Sequence, residues 1–133
     1  TNSLSMTALA FFMVIFFWTP PHFWALAIKY KDDYSAAGIP MLPVVATKAR
    51  VHKEMWFHTI MMIACSIWLI ISAGLPLWSM VVTVLLGLVF ARELLALKEG
   101  SENYSNTAAK IFQWSITYLS LLSVVLVAAQ LSV

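Results

Sequence analysis

Residues 55–91 read MWFHTIMMIACSIWLIISAGLPLWSMVVTVLLGLVFA, an unbroken run without Asp, Glu, Lys or Arg. A bilayer core about 30 Å thick is crossed by roughly 20 apolar residues in a helix, so the run is long enough for two crossings. Gly74-Leu75-Pro76, near its middle, supplies a tight turn between them. Helix is imposed by the solvent: backbone polar groups in lipid must be satisfied within the segment or in a closed barrel. The continuous apolar run lacks the alternation of a barrel strand. Working outward, residues 1–28 and 111–133 are equally free of those four residue types. Four spans follow, near 4–28, 55–73, 77–96 and 108–131, and with them an all-α integral membrane fold of four transmembrane helices.

Composition agrees and excludes a soluble domain. The chain is 62% hydrophobic and only 11% charged, with a mean hydropathy of +0.86, whereas a soluble domain carries about 25% charged residues. Six Trp, eight Phe and seven Met suit a lipid-facing or apolar-cavity protein better than a small soluble core. The single cysteine, Cys65, lies mid-span among Ile and Met and reads as a small buried hydrophobe, since one thiol builds neither a disulfide nor a metal framework. The chain opens at Thr1 with no initiator Met and no basic stretch before its first apolar run. It is expected to be part of a longer protein and to carry no signal peptide. No nucleic acid partner is expected.

The eight basic residues fall in two places. Lys29, Lys31, Lys48, Arg50 and Lys53 lie between spans one and two, and Arg92, Lys98 and Lys110 lie around the connection between spans three and four. With four spans, those two connections share one side of the membrane. The positive-inside tendency makes residues 29–54 and 92–110 cytoplasmic, in a bacterium at the inner membrane. Residues 98–107 are polar and turn-rich, as a solvated loop is, and Ser105 or Thr107 can cap the last helix. The first connection differs. Its run Gly38-Ile39-Pro40-Met41-Leu42-Pro43-Val44-Val45 is apolar and stiffened by two prolines, which suggests a segment folded over a cavity mouth.

The residues that carry chemistry lie between Trp18 and Val45. Pro20-Pro21 falls inside the first span, where loss of backbone donors predicts a kink or a restart of the helix. If the helix resumes after Pro21, His22, Leu26, Lys29 and Asp33 share one face, a stripe roughly 16 Å long at about 1.5 Å per residue. Such a stripe could line a pocket running from mid-membrane to the cytoplasmic surface. The run Lys29-Tyr30-Lys31-Asp32-Asp33-Tyr34 has two readings. One is a helix end whose charges snorkel to the interface. The other is a diphosphate site, in which adjacent carboxylates hold Mg²⁺ that bridges to phosphate oxygens and the lysines neutralise phosphate charge. His22 is either a hydrogen-bonded interfacial histidine or a ligand, and an ionisable group inside a span is a functional candidate by default. His52 reads as a loop residue, and nothing beyond position supports a pocket role for His58.

The string Trp18-Thr19-Pro20-Pro21-His22-Phe23-Trp24-Ala25-Leu26-Ala27, followed by Asp32-Asp33-Tyr34 and by Ala37-Gly38-Ile39-Pro40-Met41-Leu42-Pro43-Val44, resembles the second signature region of the haem O synthases. These protohaem IX farnesyltransferases are a branch of the UbiA-type superfamily of intramembrane prenyltransferases. Phe112-Gln113-Trp114-Ser115-Ile116-Thr117-Tyr118-Leu119 is similar to the last helix of that family. The resemblance covers the whole chain and is most specific over residues 18–45.

The resemblance implies a bundle of about nine transmembrane helices around a central cavity, of which residues 1–133 would be the C-terminal four. It implies transfer of a farnesyl group from farnesyl diphosphate to a vinyl group of protohaem IX (haem b), giving haem O. Asp32 and Asp33 would hold Mg²⁺, and Lys29 and Lys31 would meet the phosphates. Trp18, Phe23 and Trp24 would wall the allylic cation, and His22 would orient or ligate the haem or move a proton. The superfamily's second motif often spaces its two acids four apart. Here the acids are adjacent and Lys29 stands near the place of an earlier acid, a pattern shared with the haem-modifying branch. The superfamily's first acidic motif belongs to the N-terminal half, so this chain alone is expected to be inactive and to need the missing half. The rival readings are a haem-binding or assembly subunit without catalysis, another UbiA-type prenyltransferase, and a transporter fragment with its substrate site at the broken helix. A transporter would continue polar groups down several spans, which spans two to four do not.

Overall fold

The computed structural model of the chain describes residues 2–42, 46–98 and 102–132. Helix α1 (Asn2–Lys29) is followed by a short helix α2 (Lys31–Ala36), then α3 (Lys48–Ser72), α4 (Leu77–Leu95) and α5 (Tyr104–Ser132). No strand occurs among the described residues. Four of these helices are long and apolar enough to cross a membrane, over Met6–Lys29, Ala49–Ser72, Leu77–Leu95 and Tyr104–Leu131.

The helices run past the charge-free segments at the basic end. α3 begins at Lys48, where Thr47 in extended backbone accepts the Arg50 amide on its side chain, a side-chain N-cap. Arg50 and Lys53 therefore ride on the first turns of a spanning helix. Both are exposed, as charged side chains at the end of a span that reach the interface are.

The far end of the bundle closes at the turn expected there. Gly74 adopts φ +65, and the Leu75 amide donates back to the Ile70 carbonyl at 3.3 Å. This is the left-handed helix stop that glycine permits. Pro76 then starts α4, and Ser79 Oγ donates to the Pro76 carbonyl at 2.5 Å.

α1 packs between α3 and α5, and α4 completes the ring against the same two helices. Its interior is filled by Val14, Met55, Met62, Leu69, Phe90, Leu94, Ile111 and Leu122. Leu77, Leu85, Leu88, Val124 and Leu131 face outward, as lipid-facing residues do. The buried face of α4 carries Ser79, Thr83 and Gly87 at four-residue steps, small side chains that let helices approach closely.

A buried polar bond crosses the middle of the ring from α3 to α5. Tyr118, 1% exposed, meets Ser66 Oγ at 2.7 Å, and Ser66 Oγ donates to the Met62 carbonyl at 2.8 Å. The serine proton is thereby used, so Tyr118 is the donor in the cross-helix bond. The two deletions are consequently unequal. Tyr118→Phe removes a donor and should cost about 0.5–1.5 kcal/mol, while Ser66→Ala strands a buried hydroxyl and should cost about 1–3 kcal/mol. Unfolding of both variants in mixed detergent and lipid measures the order, and a costlier Tyr118→Phe would contradict this donor assignment.

Candidate functional site at the basic end of the bundle

α1 stays helical through Pro20 and Pro21 and ends only at Lys29, so the restart expected at the prolines is not found there. Pro20 and Pro21 bring no N–H for the carbonyls of Phe16 and Phe17. A span tolerates that loss when packing against neighbouring helices compensates. Pro21, Ala25, Ala27 and Ile28 are buried against neighbouring helices, and Thr19 Oγ1 donates to the Ile15 carbonyl at 2.7 Å. The chain turns instead at Tyr30, with φ −110 and ψ 33. His22, Leu26 and Lys29 therefore share α1, whereas Asp33 belongs to α2 and does not extend their stripe along one helix.

The turn at Tyr30 brings the charged residues onto one hollow. A cavity of about 430 Å³ is lined by Ile28, Lys29, Tyr30, Lys31, Asp32 and Asp33, together with Val51 of α3 and Tyr104 and Ser105 of α5. Lys29, Lys31, Asp32 and Asp33 are exposed, and none pairs with another charged group among the described residues. Both signs of charge thus remain available to a ligand. A second cavity of about 380 Å³ lies beyond the Lys29–Tyr30 corner, lined by Leu26, Ala109, Lys110, Phe112, Gln113 and Trp114 as well. Of the proline loop, residues 43–45 lie outside the described residues. Its described part, 38–42, lines neither cavity, and Leu42 packs on the core.

Among the described residues no three His, Cys, Asp or Glu side chains gather into a metal cage. Two adjacent carboxylates fit a Mg²⁺ that arrives on a phosphate and keeps several waters, which is that ion's usual mode.

His22 sits deeper, about 10 Å along α1 from Lys29 at 1.5 Å per residue. Its ring is stacked between Trp18 (centroids 4.4 Å apart, 19° between planes) and Phe112 (4.6 Å, 25°), with Phe23 edge-on at 5.2 Å. His22 Nδ1 lies 2.6 Å from Ser115 Oγ, and Trp18 Nε1 donates to the Ser115 carbonyl at 2.7 Å. Trp24 turns the other way, toward His58 of α3 at 5.2 Å, because six residues at about 100° each place it on a different face from Trp18. His58 Nδ1 donates to its own helix at the Glu54 carbonyl, 2.8 Å away. The structure thus brings Trp18, His22 and Phe23 together and separates Trp24 from them. His52, which reads as a loop residue, lies on α3 with Nε2 2.8 Å from the Tyr104 hydroxyl.

Tyr104, Ser105, Lys110, Phe112 and Ser115 were not among the candidate residues. Phe112 and Ser115 lie in the string that resembles the family's last helix, but nothing in it marks them as site residues. Tyr104, Ser105 and Lys110 carry no distinctive signal, and only tertiary packing of α5 against α1 assembles all five with Lys29 and His22.

Fold and site define an all-α integral membrane protein whose charged groups collect at one end of an apolar bundle. The UbiA prenyltransferase family matches residues 1–117, and the chain belongs to that family. It is 44% identical over 98% of its length to a protoheme IX farnesyltransferase of Parafrankia sp. (strain EAN1pec), covering 42% of that protein. It is 39% identical over 92% of its length to one of Nostoc sp. (strain PCC 7120), covering 38%. A relative of the same name from Rhodococcus jostii (strain RHA1) is 53% identical over 56% of the chain, covering 25% of that protein. The chain therefore spans about two fifths of the length of the first two relatives. No solved structure matches it.

Proposed function

We propose that this chain is the C-terminal part of a protohaem IX farnesyltransferase, which transfers the farnesyl group of farnesyl diphosphate to a vinyl group of haem b and yields haem O. One observation carries the proposal: unpaired Lys29, Lys31, Asp32 and Asp33 share a single cavity at the end of an apolar bundle, in a chain of the prenyltransferase family. A long isoprenoid anion needs that combination of lipid below and cations at the rim.

Asp32 and Asp33 would hold Mg²⁺, which when bound supplies charge neutralisation for the departing diphosphate. Lys29 and Lys31 would contact the phosphate oxygens directly, lowering the cost of the developing negative charge. As the carbon–oxygen bond to diphosphate breaks, the allylic carbon bonds to the terminal vinyl carbon. One water adds to the carbon left positive beside the porphyrin and loses a proton, which gives the hydroxyethyl group. The helices keep bulk water from the allylic cation before the carbon–carbon bond forms. Phe23, 46% exposed, meets His22 on one side and offers its exposed side for cation–π contact. Trp18 spends one face on His22. Trp24 would act from the His58 side. His22 would meet the haem. The basic end would face the cytoplasm at a bacterial inner membrane, and the remaining helices would supply the other half of the acidic site.

The test is product analysis. Full-length protein in lipid, given farnesyl diphosphate, haem b and Mg²⁺, should yield haem carrying a hydroxyethylfarnesyl group. Haem that binds but stays unaltered would overturn the proposal in favour of a haem-binding subunit. The 133-residue chain alone is expected to give no product, and turnover by it would contradict the need for a second half.

A further inference from the structure

We infer that Ser115 is a positioning residue that fixes the neutral imidazole of His22 with its proton on Nδ1 and its lone pair on Nε2. The inference rests on the proposal that His22 meets the haem, and it defines which chemistry His22 can offer.

The serine hydroxyl has one proton and two close neighbours. Its oxygen is 2.5 Å from the Phe112 carbonyl oxygen and 2.6 Å from His22 Nδ1. A carbonyl donates nothing. Two oxygens 2.5 Å apart with no proton between them would face each other lone pair to lone pair, so the serine proton lies toward Phe112. Only a lone pair then remains for His22, and Nδ1 must be the donor. A neutral imidazole has one N–H, which leaves Nε2 unprotonated. Among the described residues Nε2 has no hydrogen-bond partner.

The ring cannot readily turn to escape this assignment. Trp18 and Phe112 cover its two faces at 4.4 Å and 4.6 Å. Trp18 is itself tied to the Ser115 carbonyl at 2.7 Å. Ser115, fully buried, thus uses its hydroxyl on His22 and its carbonyl on the residue stacked over it. Free imidazole side chains favour the opposite tautomer, with the proton on Nε2, so the bond reverses the intrinsic preference. A lone pair on Nε2 can ligate iron or accept a proton, whereas an N–H there can do neither. Outer partners that orient a histidine in this way commonly contribute 10- to 100-fold to affinity or activity.

The experiment uses full-length protein with ¹⁵N-labelled histidine in lipid nanodiscs, at a pH where His22 is neutral, with the His22 signals assigned by their loss in His22→Gln. The native protein should show Nδ1 protonated. Ser115→Ala should move the proton to Nε2 and lower turnover roughly 10- to 100-fold, and Ser115→Thr should restore both. Should Ser115→Ala fail to accumulate, Ser115→Cys, of similar size but a weak hydrogen-bonding group, gives the same comparison. A native His22 protonated on Nε2, or a tautomer unchanged in Ser115→Ala or Ser115→Cys, overturns the inference. A tautomer that moves while turnover holds supports the positioning role and removes His22 from the proposed reaction.

Discussion

Replacing Asp32 and Asp33 together by Asn is expected to lower turnover of the full-length protein by about 10²–10³-fold or more, the range for losing one preorganised electrostatic group. Haem binding and stability should stay close to native. α2 buries none of its residues, and neither carboxylate is paired with another charged group among the described residues, so the isosteric change disturbs no packing. The one structural service these acids provide is to sit in the first turn of α2, where negative charge favours a helix end only weakly once solvent screens it. What is lost is two negative charges beside Lys29 and Lys31, and with them the means of seating a divalent cation against diphosphate. Turnover in lipid with saturating haem reads the effect. A double variant retaining more than half its turnover would place the leaving-group chemistry elsewhere.

The second large effect concerns the frame that holds the site. Gly87 faces α3 so closely that an added Cβ would stand 3.0–3.2 Å from three carbons of Ile63. Gly87→Ala therefore asks the Ile63 side chain to give by a few tenths of an ångström. The better helix propensity of Ala, about 1 kcal/mol, offsets that cost, and stability should be near native. Gly87→Leu puts three further carbons into the same notch, and α4 must move off α3. Overpacking of this kind costs about 1–3 kcal/mol. Unfolding in mixed detergent and lipid should rank Leu well below Ala, and a Leu variant as stable as native would show that the α3–α4 contact is loose.

The spans were legible because lipid leaves the backbone few options: a long stretch without charge in this chain is a crossing. The stop at Gly74 was legible for a similar reason, since a glycine followed closely by a proline both ends one helix and starts the next. Helix ends at the basic side were not. Arg50 and Lys53 read as loop charges, yet both lie exposed on the first turns of α3, which Thr47 caps one residue before Lys48. The prolines at 20 and 21 signalled a break that packing of α1 against its neighbours absorbs, while the real corner falls at Tyr30, a residue type that marks no turn. In the site, Lys29, Lys31, Asp32 and Asp33 stood out through adjacency alone. Tyr104, Lys110 and Ser115 come from the far end of the chain, and nothing local announces that α5 lies against α1. Trp24 illustrates a subtler gap. It belongs to the same aromatic string as Trp18, but helical rotation sends it to His58.

The most direct measurement is equilibrium binding of an unreactive thio analogue of farnesyl diphosphate to the full-length protein in lipid, with and without Mg²⁺. Native protein should bind it tightly only with the metal, and Asp32→Asn/Asp33→Asn should lose that dependence while still binding haem. Binding that is indifferent to Mg²⁺ in the native protein, or equally metal-dependent in the double variant, would contradict a diphosphate held at the Tyr30 corner.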